Sequence, residues 1–373
     1  MTAKIAIASG GTGGHFYPTL AIARELERRA ATVDLLVAGR HAAEQLGLAS
    51  RNGLRASEVR AFRLPRGPWS ALCFPWRFVA AVQAARRRLG ELRPDLLLGM
   101  GSFAAVPACL AARLEGIPLV LHEGNAWMGR ANRFLSRWAV GAGLSLPLVE
   151  GCRVRCPTLH TGMPLREALV SAAQSGVFPE AFAAAAGLTR QRRTLLVFGG
   201  SQGARFINDA LCRTLPELGD SAAAVQVIHL TGTDENAPIE AAYRAAGIPA
   251  WVRRSDPDIQ NSYLAAGLVI CRGGASSICE LALFGRPAIL IPLPTAAENH
   301  QTANARVIAA RGGAVHLPQA EATPARLAEQ LRTWLAGAPE FAAMGEAIRG
   351  FAVPDAAARM AEFCLRQVQP PRS

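Results

Sequence analysis

Lysine is almost missing from this chain: Lys4 is the single one among 40 basic residues, and the others are arginine. Aromatics are scarce too, at 6%. Cysteine is present but unpatterned. The eight cysteines are scattered, and the close pairs Cys152/Cys156 and Cys271/Cys279 do not fit the Cys-x2-Cys spacing of a zinc site. The opening Met-Thr-Ala-Lys runs straight into an apolar strand, with no charged leader segment ahead of a signal-length apolar run. No stretch of ~20 uncharged apolar residues occurs, which excludes a membrane-spanning helix. Free thiols in a reducing cytoplasm are the expectation.

Acidic residues are the minority, 28 against 40 basic, for a formal net charge of +12. Such a balance favours anionic partners: nucleic acid, anionic lipid or a phosphorylated substrate. A GC-rich genome that writes Arg at ordinary surface positions accounts for the same charge. A nucleic-acid binder needs a basic stripe with stacking aromatics or a known module, and neither is found, so no nucleic-acid partner is expected.

Half of the 373 residues are hydrophobic, too many for one ordinary core, and two α/β domains are expected. Lys4–Ser9 is an apolar strand, followed by glycines and a helical pattern over Thr19–Arg29. Asp34–Ala38, Asp95–Gly99 and Leu119–His122 read as further strands, with a helix over Phe78–Leu92. The pattern restarts at Thr194–Phe198 with a glycine turn and a helix over Ala204–Leu215. Val225–Leu230, Leu268–Cys271 and Ala288–Ile291 follow as strands, and Gly274–Phe284 and Asn299–Ala310 as helices. Such continuous apolar runs suit strands buried on both faces of a parallel sheet. Open sheets of this kind bind ligands beyond their carboxyl ends, where every motif here falls.

The first glycine loop, Ser9-Gly-Gly-Thr-Gly-Gly-His15, lets backbone approach a phosphate at a helix start. The NAD fingerprint fails, because Phe16 stands where its last glycine belongs and no acid ends the second strand. A tight turn that needs glycines for geometry alone is the plain alternative. His15 is a general base or a helix cap, and both readings stand. The second loop, Gly199-Gly-Ser201-Gln202-Gly203-Ala-Arg205, repeats the design and suits a diphosphate. In Cys271-Arg-Gly-Gly-Ala275-Ser-Ser-Ile-Cys-Glu280, the acid one turn into the helix suits ribose hydroxyls or solvent. The carboxamides around Glu298-Asn-His300-Gln301 suit sugar hydroxyls or ordinary capping. Asp256-Pro-Asp258 resembles a metal-binding Asp-x-Asp, but Pro257 at a helix start reads as a cap, and no metal or other cofactor is expected.

Taken in order, Gly-Gly-Thr-Gly-Gly-His15, Leu-Gly-Met-Gly101, Leu-His-Glu-Gly-Asn125, Gly-Met-Pro-Leu-Arg166, Gly-Gly-Ser-Gln-Gly-Ala-Arg205, Cys-Arg-Gly-Gly-Ala275 with Glu280, and His-Gln-Thr-Ala-Asn304 resemble the MurG family from residue 4 to about 366. The resemblance implies an α/β GT-B glycosyltransferase fold, two Rossmann-like domains facing across a cleft. It places an acceptor and membrane-binding domain at 1–163, joined by a C-terminal helix at 355–373, and a UDP-GlcNAc-binding domain at 164–354. It implies inverting transfer of GlcNAc from UDP-GlcNAc to the C4 hydroxyl of MurNAc on undecaprenyl diphosphate, lipid I to lipid II. By position it assigns catalysis to His15, Asn125 and Glu280, and the donor to Thr12, Gly13, Gly14, Asn125, Arg166, Ser201, Gln202, Gly203, Ala275, Glu280, His300 and Gln301. The acceptor side falls to His15, Phe103 and His122. Gly124, Phe103, Gly273 and Asp256 depart from the family pattern. Another acceptor, or UDP-GlcNAc 2-epimerisation, is the alternative reading.

Between residues 64 and 88, Trp69, Leu72, Phe74, Trp76 and Phe78 alternate with Arg66, Arg77 and Arg86–Arg88. Aromatics flanked by arginine suit a bilayer headgroup region, and a core helix with a solvated face is the alternative. The resemblance favours the first and implies a peripheral enzyme on the cytoplasmic face, with lipid I in an anionic leaflet and other cell-wall synthesis proteins as partners. Burial of Trp69, Trp76 and Phe78 in the core would remove the patch.

Overall fold

The computed structural model describes residues 2–10, 13–59, 68–200 and 204–368, and for 13–15 and 68–71 the backbone alone. The chain forms two compact units, residues 1–166 with 353–373, and 167–352. Each is built on one all-parallel sheet.

The first unit contains β1 (Lys4–Gly10), β2 (Thr32–Ala38), β3 (Arg55–Glu58), β4 (Leu96–Gly99), β5 (Leu119–Glu123), β6 (Gly141–Leu144) and β7 (Thr158–His160). Their order is β3-β2-β1-β4-β5-β6-β7, every pair parallel. The strand order therefore reverses between β1 and β4, a topological switch point. Helices cover both faces of the sheet, so β1, β4 and β5 are buried almost throughout. On one face Ile5, Ile7 and Leu98 pack with Phe16, Ile22 and Leu26 of the helix Gly13–Arg28. Met360, Ala361 and Cys364 of the last helix, Ala356–Arg366, join the same cluster. On the other face Ala6, Leu97 and Leu121 pack with Ala85 and Leu89 of the helix Pro68–Leu92 and with the helix Val106–Leu114.

That return of the chain explains two glycines in β6. A Cβ on Gly141 would meet the Phe363 ring at 2.6 Å, and one on Gly143 would collide with Met360. The last helix can lie on the sheet only where those side chains are missing.

The second unit contains β8 (Arg193–Phe198), β9 (Val225–Leu230), β10 (Ala250–Arg253), β11 (Leu268–Cys271), β12 (Ala288–Leu290) and β13 (Val315–His316). The order is β10-β9-β8-β11-β12-β13, again all parallel, with its switch point between β8 and β11. Leu195, Val197, Val227, Ile270 and Ile289 form its core with Ile207, Leu211, Leu331 and Trp334 from the covering helices. No helix among the described residues is long and apolar enough to cross a membrane.

Candidate functional site

In the first unit the turns that end β1, β4 and β5 come together beside the switch point. Gly10 ends β1 where a Cβ would lie 2.5 Å from the Ala38 carbonyl and 2.6 Å from the Ala104 Cβ. Gly101 follows β4 at φ +79°, with His122 O and Asn132 Nδ2 at 3.0 and 2.8 Å from its would-be Cβ. Backbone is thus packed against neighbouring carbonyls and side chains, a placement that only glycine permits at no steric cost.

The loop after β5 is organised by Glu123, a residue that the sequence motif contains but to which no role was given. Its carboxylate is buried. Oε1 accepts from Asn125 N at 3.0 Å and Asn125 Nδ2 at 3.1 Å. Oε2 accepts from Gly129 N at 3.1 Å and Asn132 Nδ2 at 2.9 Å. Asn132 Nδ2 also donates to His122 O. An ionised carboxylate that accepts four N–H bonds holds its loop more firmly than neutral acceptors would. Asn125 is thereby fixed, half-buried, at the carboxyl end of β5. His122 is buried one residue earlier, with Nε2 3.0 Å from Ser145 Oγ; Ser145 Oγ in turn donates to Gly162 O. Its ring tethers β5 to the segment that follows β6. Phe103 is exposed, whereas the Ser102 hydroxyl beside it is buried with no hydrogen-bond partner. Arg166, where the chain leaves this unit for the second, lies over the Tyr17 ring at 5.3 Å. Gly13 and Gly14 head the helix Gly13–Arg28 and His15 lies in its first turn. The His15 side chain and Thr12 fall outside the described residues.

In the second unit Glu280 stands on the helix Ala275–Phe284, which starts just beyond β11. Tyr263, fully buried, donates its hydroxyl to Glu280 Oε2 at 2.8 Å and stacks on Phe284. Tyr263 holds the carboxylate in place, and its distance in sequence hid it. Gly274 caps the helix with no side-chain hydrogen bond to the first turn, where Ala275 supplies a backbone N–H. Arg272, buried beneath that turn, donates to Ile291 O at 3.1 Å, Pro292 O at 3.2 Å and Gln319 Oε1 at 2.9 Å. Burial pulls the pKa of this guanidinium down.

The helix His300–Ala309 is brought to the same place. Asn304 Nδ2 donates to Gly273 O at 3.0 Å, and a Cβ on Gly273 would lie 2.5 Å from Gln301 O. Gln301 Oε1 accepts from Leu293 N, and His300 Nδ1 lies 2.7 Å from Ala297 O. Glu298 and Asn299, at φ 51° and 55°, turn the chain into this helix through the left-handed region, a strained choice for non-glycine residues of the kind found at binding sites. Ser201, Gln202 and Gly203 fall outside the described residues, and the helix Ala204–Thr214 begins immediately after them. Asp256 accepts from Asp258 N and Ser262 Oγ through its two oxygens, tying the start of the helix Ile259–Ala265. No cluster of three or more metal-ligating side chains occurs among the described residues.

Along the helix Pro68–Leu92, Trp76 is 80% exposed and Leu72 68%; Arg77 and Val79 are exposed beside them. Phe74 and Phe78 are half-buried and stacked at 5.9 Å, and Phe78 rests on the core. Arg66 and the Trp69 side chain fall outside the described residues.

Comparison with known proteins bears on both units. The model of the glycosyltransferase family 28 N-terminal domain matches residues 5–143, and that of its C-terminal domain matches residues 194–360. The chain is 38% identical over 363 residues, 97% of each chain, to the UDP-N-acetylglucosamine–N-acetylmuramyl-(pentapeptide) pyrophosphoryl-undecaprenol N-acetylglucosamine transferase of Pseudomonas putida. It is 35% identical to the protein of the same name from Syntrophotalea carbinolica, over 97% of this chain and 98% of the other. Among solved structures, Acinetobacter baumannii MurG superposes with a TM-score of 0.77 at 27% identity, covering 98% of this chain and 100% of that one. The UDP-GlcNAc 2-epimerase of Neisseria meningitidis shares the fold, with a TM-score of 0.68 at 13% identity over 98% of this chain and 100% of the other.

Proposed function

The chain belongs to glycosyltransferase family 28, and we propose that it transfers GlcNAc from UDP-GlcNAc, with inversion, to the C4 hydroxyl of MurNAc in undecaprenyl-diphospho-MurNAc-pentapeptide. The near full-length identity to transferases of that name carries the reading. The epimerase shares only the fold at 13% identity.

The chemistry of each unit supports a division of labour. Charge grows on the leaving UDP diphosphate as the sugar departs with oxocarbenium character. An uncapped helix start at Ala275, with the glycine loop that ends β8, suits that charge. Glu280, oriented by Tyr263, suits the ribose hydroxyls. Gln301 and His300 suit hydroxyls of the transferred sugar, and Arg166 would neutralise phosphate. Asn125, fixed by Glu123, is the proposed contact for the acceptor hydroxyl. His15 is the proposed base, accepting the C4 hydroxyl proton. The exposed Leu72, Trp76 and Val79 beside Arg77 suit peripheral attachment to an anionic leaflet, where the lipid acceptor lies. Phe103, exposed beyond β4, belongs with that acceptor side.

The test is UDP release from UDP-GlcNAc with and without a lipid I analogue. Release that depends on the analogue and yields a β1,4-linked disaccharide is the expected result. UDP-GlcNAc binding without transfer would reject the acceptor.

A further inference from the structure

The second unit carries a basic cavity at the wrong end of its sheet for the donor. It occupies 360 Å3 around the amino-terminal ends of β8 and β11 and is lined by Arg190, Arg192, Arg193 and Arg286, with Phe178 and Trp334 as apolar walls. The glycine turn after β8 and the helix start after β11 lie at the opposite ends of the same two strands, about 17–20 Å away for a six-residue strand.

The four guanidiniums are unevenly matched. Arg190 pairs with Glu180 and lies over the Phe178 ring at 4.2 Å. Arg193 lies over Trp334 at 5.9 Å. Arg192 and Arg193 make no ion pair among the described residues, and no acidic side chain lines the cavity. Arg286 donates from Nη2 to Leu264 O at 3.0 Å, while its buried Nε has no hydrogen-bond partner. Arg349 stands close enough that repulsion between the two cations adds to burial in lowering the Arg286 pKa. Among the described residues Arg349 itself makes one ion pair, with Glu346 at 3.9 Å. Like charges gathered in a partly desolvated hollow are a cost to the fold that a bound anion would relieve.

We propose that this cavity binds a phosphate-bearing anion, a monoester or diphosphate, separately from the donor nucleotide. Guanidinium forks match phosphate oxygens in pairs. The volume lies at the low end of the about 300–1,000 Å3 usual for small-molecule sites. Trp334 is buried and Arg190 covers Phe178, so there is no open aromatic face for a nucleobase. The phosphate is that of a free anion or of a phospholipid headgroup, which present the same chemistry to these residues.

The experiment is calorimetric titration of pyrophosphate into the full-length protein saturated with UDP, so that the donor site is closed to it. Saturable binding is expected, weakened about tenfold for each guanidinium removed in Arg192→Gln and Arg193→Gln, the equivalent of one charged hydrogen bond. UDP affinity should stay unchanged in both variants, which alter exposed or half-exposed side chains and spare the core. No binding to the UDP-saturated protein, or binding indifferent to both substitutions, overturns the proposal. Flotation with phosphatidylglycerol and phosphatidylcholine vesicles then separates the sources. Loss of retention on the anionic vesicles in the double variant assigns a lipid headgroup; unchanged retention with lost pyrophosphate binding assigns a free anion. If the protein fails to bind UDP at all, the donor reading fails while the pyrophosphate response of the arginine variants still decides the cavity.

Discussion

The two switch points are built on one topology and stabilised by opposite charges. In the first unit a buried carboxylate, Glu123, gathers N–H donors from Asn125, Gly129 and Asn132. In the second a buried guanidinium, Arg272, gathers the carbonyls of Ile291 and Pro292 with the Gln319 amide oxygen. A loop whose amides point to the protein's own carboxylate has few left for an anion and is suited to a neutral hydroxyl. The carbonyls drawn to the guanidinium follow β12, beside the helix start after β11 that suits the proposed diphosphate. The proposed function turns the same fold to an acceptor in one unit and to a nucleotide in the other.

Removing either ion should hurt, and unequally. Glu123→Ala leaves four N–H donors without their acceptor, and we expect a loss of about 3 kcal/mol or more in denaturant unfolding, together with turnover. Arg272→Met leaves carbonyls short of a donor, a condition proteins tolerate more readily than orphaned N–H groups, and about 2 kcal/mol is expected. A larger loss at Arg272 than at Glu123 would break the comparison. Transferase assays sharpen it. Arg272→Met should act mainly through KM for UDP-GlcNAc, and Glu123→Ala through the acceptor.

Acid should expose a weakness of the second unit. His229 is buried between Tyr243 Oη and Asn208 Oδ1, each 2.9 Å away, and Asn208 Nδ2 donates to Thr231 O. The amide oxygen of Asn208 only accepts, so His229 Nε2 carries the proton and Nδ1 accepts from Tyr243. Burial pushes the His229 pKa down to about 3. The unfolded chain, titrating near 6.5, therefore binds the proton first as pH falls. Stability is unaffected above about 6.5 and declines by about 1.4 kcal/mol per pH unit below it, about 2 kcal/mol by pH 5. Urea unfolding at pH 7.5 and pH 5 measures this, and His229→Gln should flatten the difference. An equal slope in that variant would place the acid sensitivity elsewhere.

Much of this was legible beforehand, for local reasons. Strands buried on both faces, such as Leu268–Cys271, announce themselves as apolar runs, and glycine turns mark the ligand end. The family membership follows from motifs that keep their order. Gly141–Leu144 carries no apolar run to mark it as a strand, because its glycines answer to Phe363 and Met360, which lie more than two hundred residues away in sequence. The polar edge strands Arg55–Glu58 and Thr158–His160 carry no apolar pattern to find. Glu123 and Tyr263 escaped assignment for a related reason, since each earns its place by contacts made after folding. The arginine cavity unites residues from 178 to 334, and no window of sequence contains it.

Tyr263→Phe is the smallest and most selective change. The ring stays, stacked on Phe284 and edge-on to Phe198, so the core keeps its packing. What goes is one hydroxyl 2.8 Å from Glu280, a charged acceptor on a half-buried helix face. A hydrogen bond of that kind contributes about 1–2 kcal/mol, so KM for UDP-GlcNAc should rise about five- to thirtyfold while kcat and the unfolding midpoint move little. Glu280→Gln should raise KM as well, and the double variant should cost less than the sum, because both changes act on one contact. Unchanged KM in Tyr263→Phe would mean that Tyr263 supports the second unit through its packing alone, and additive losses would mean that its hydroxyl acts apart from Glu280.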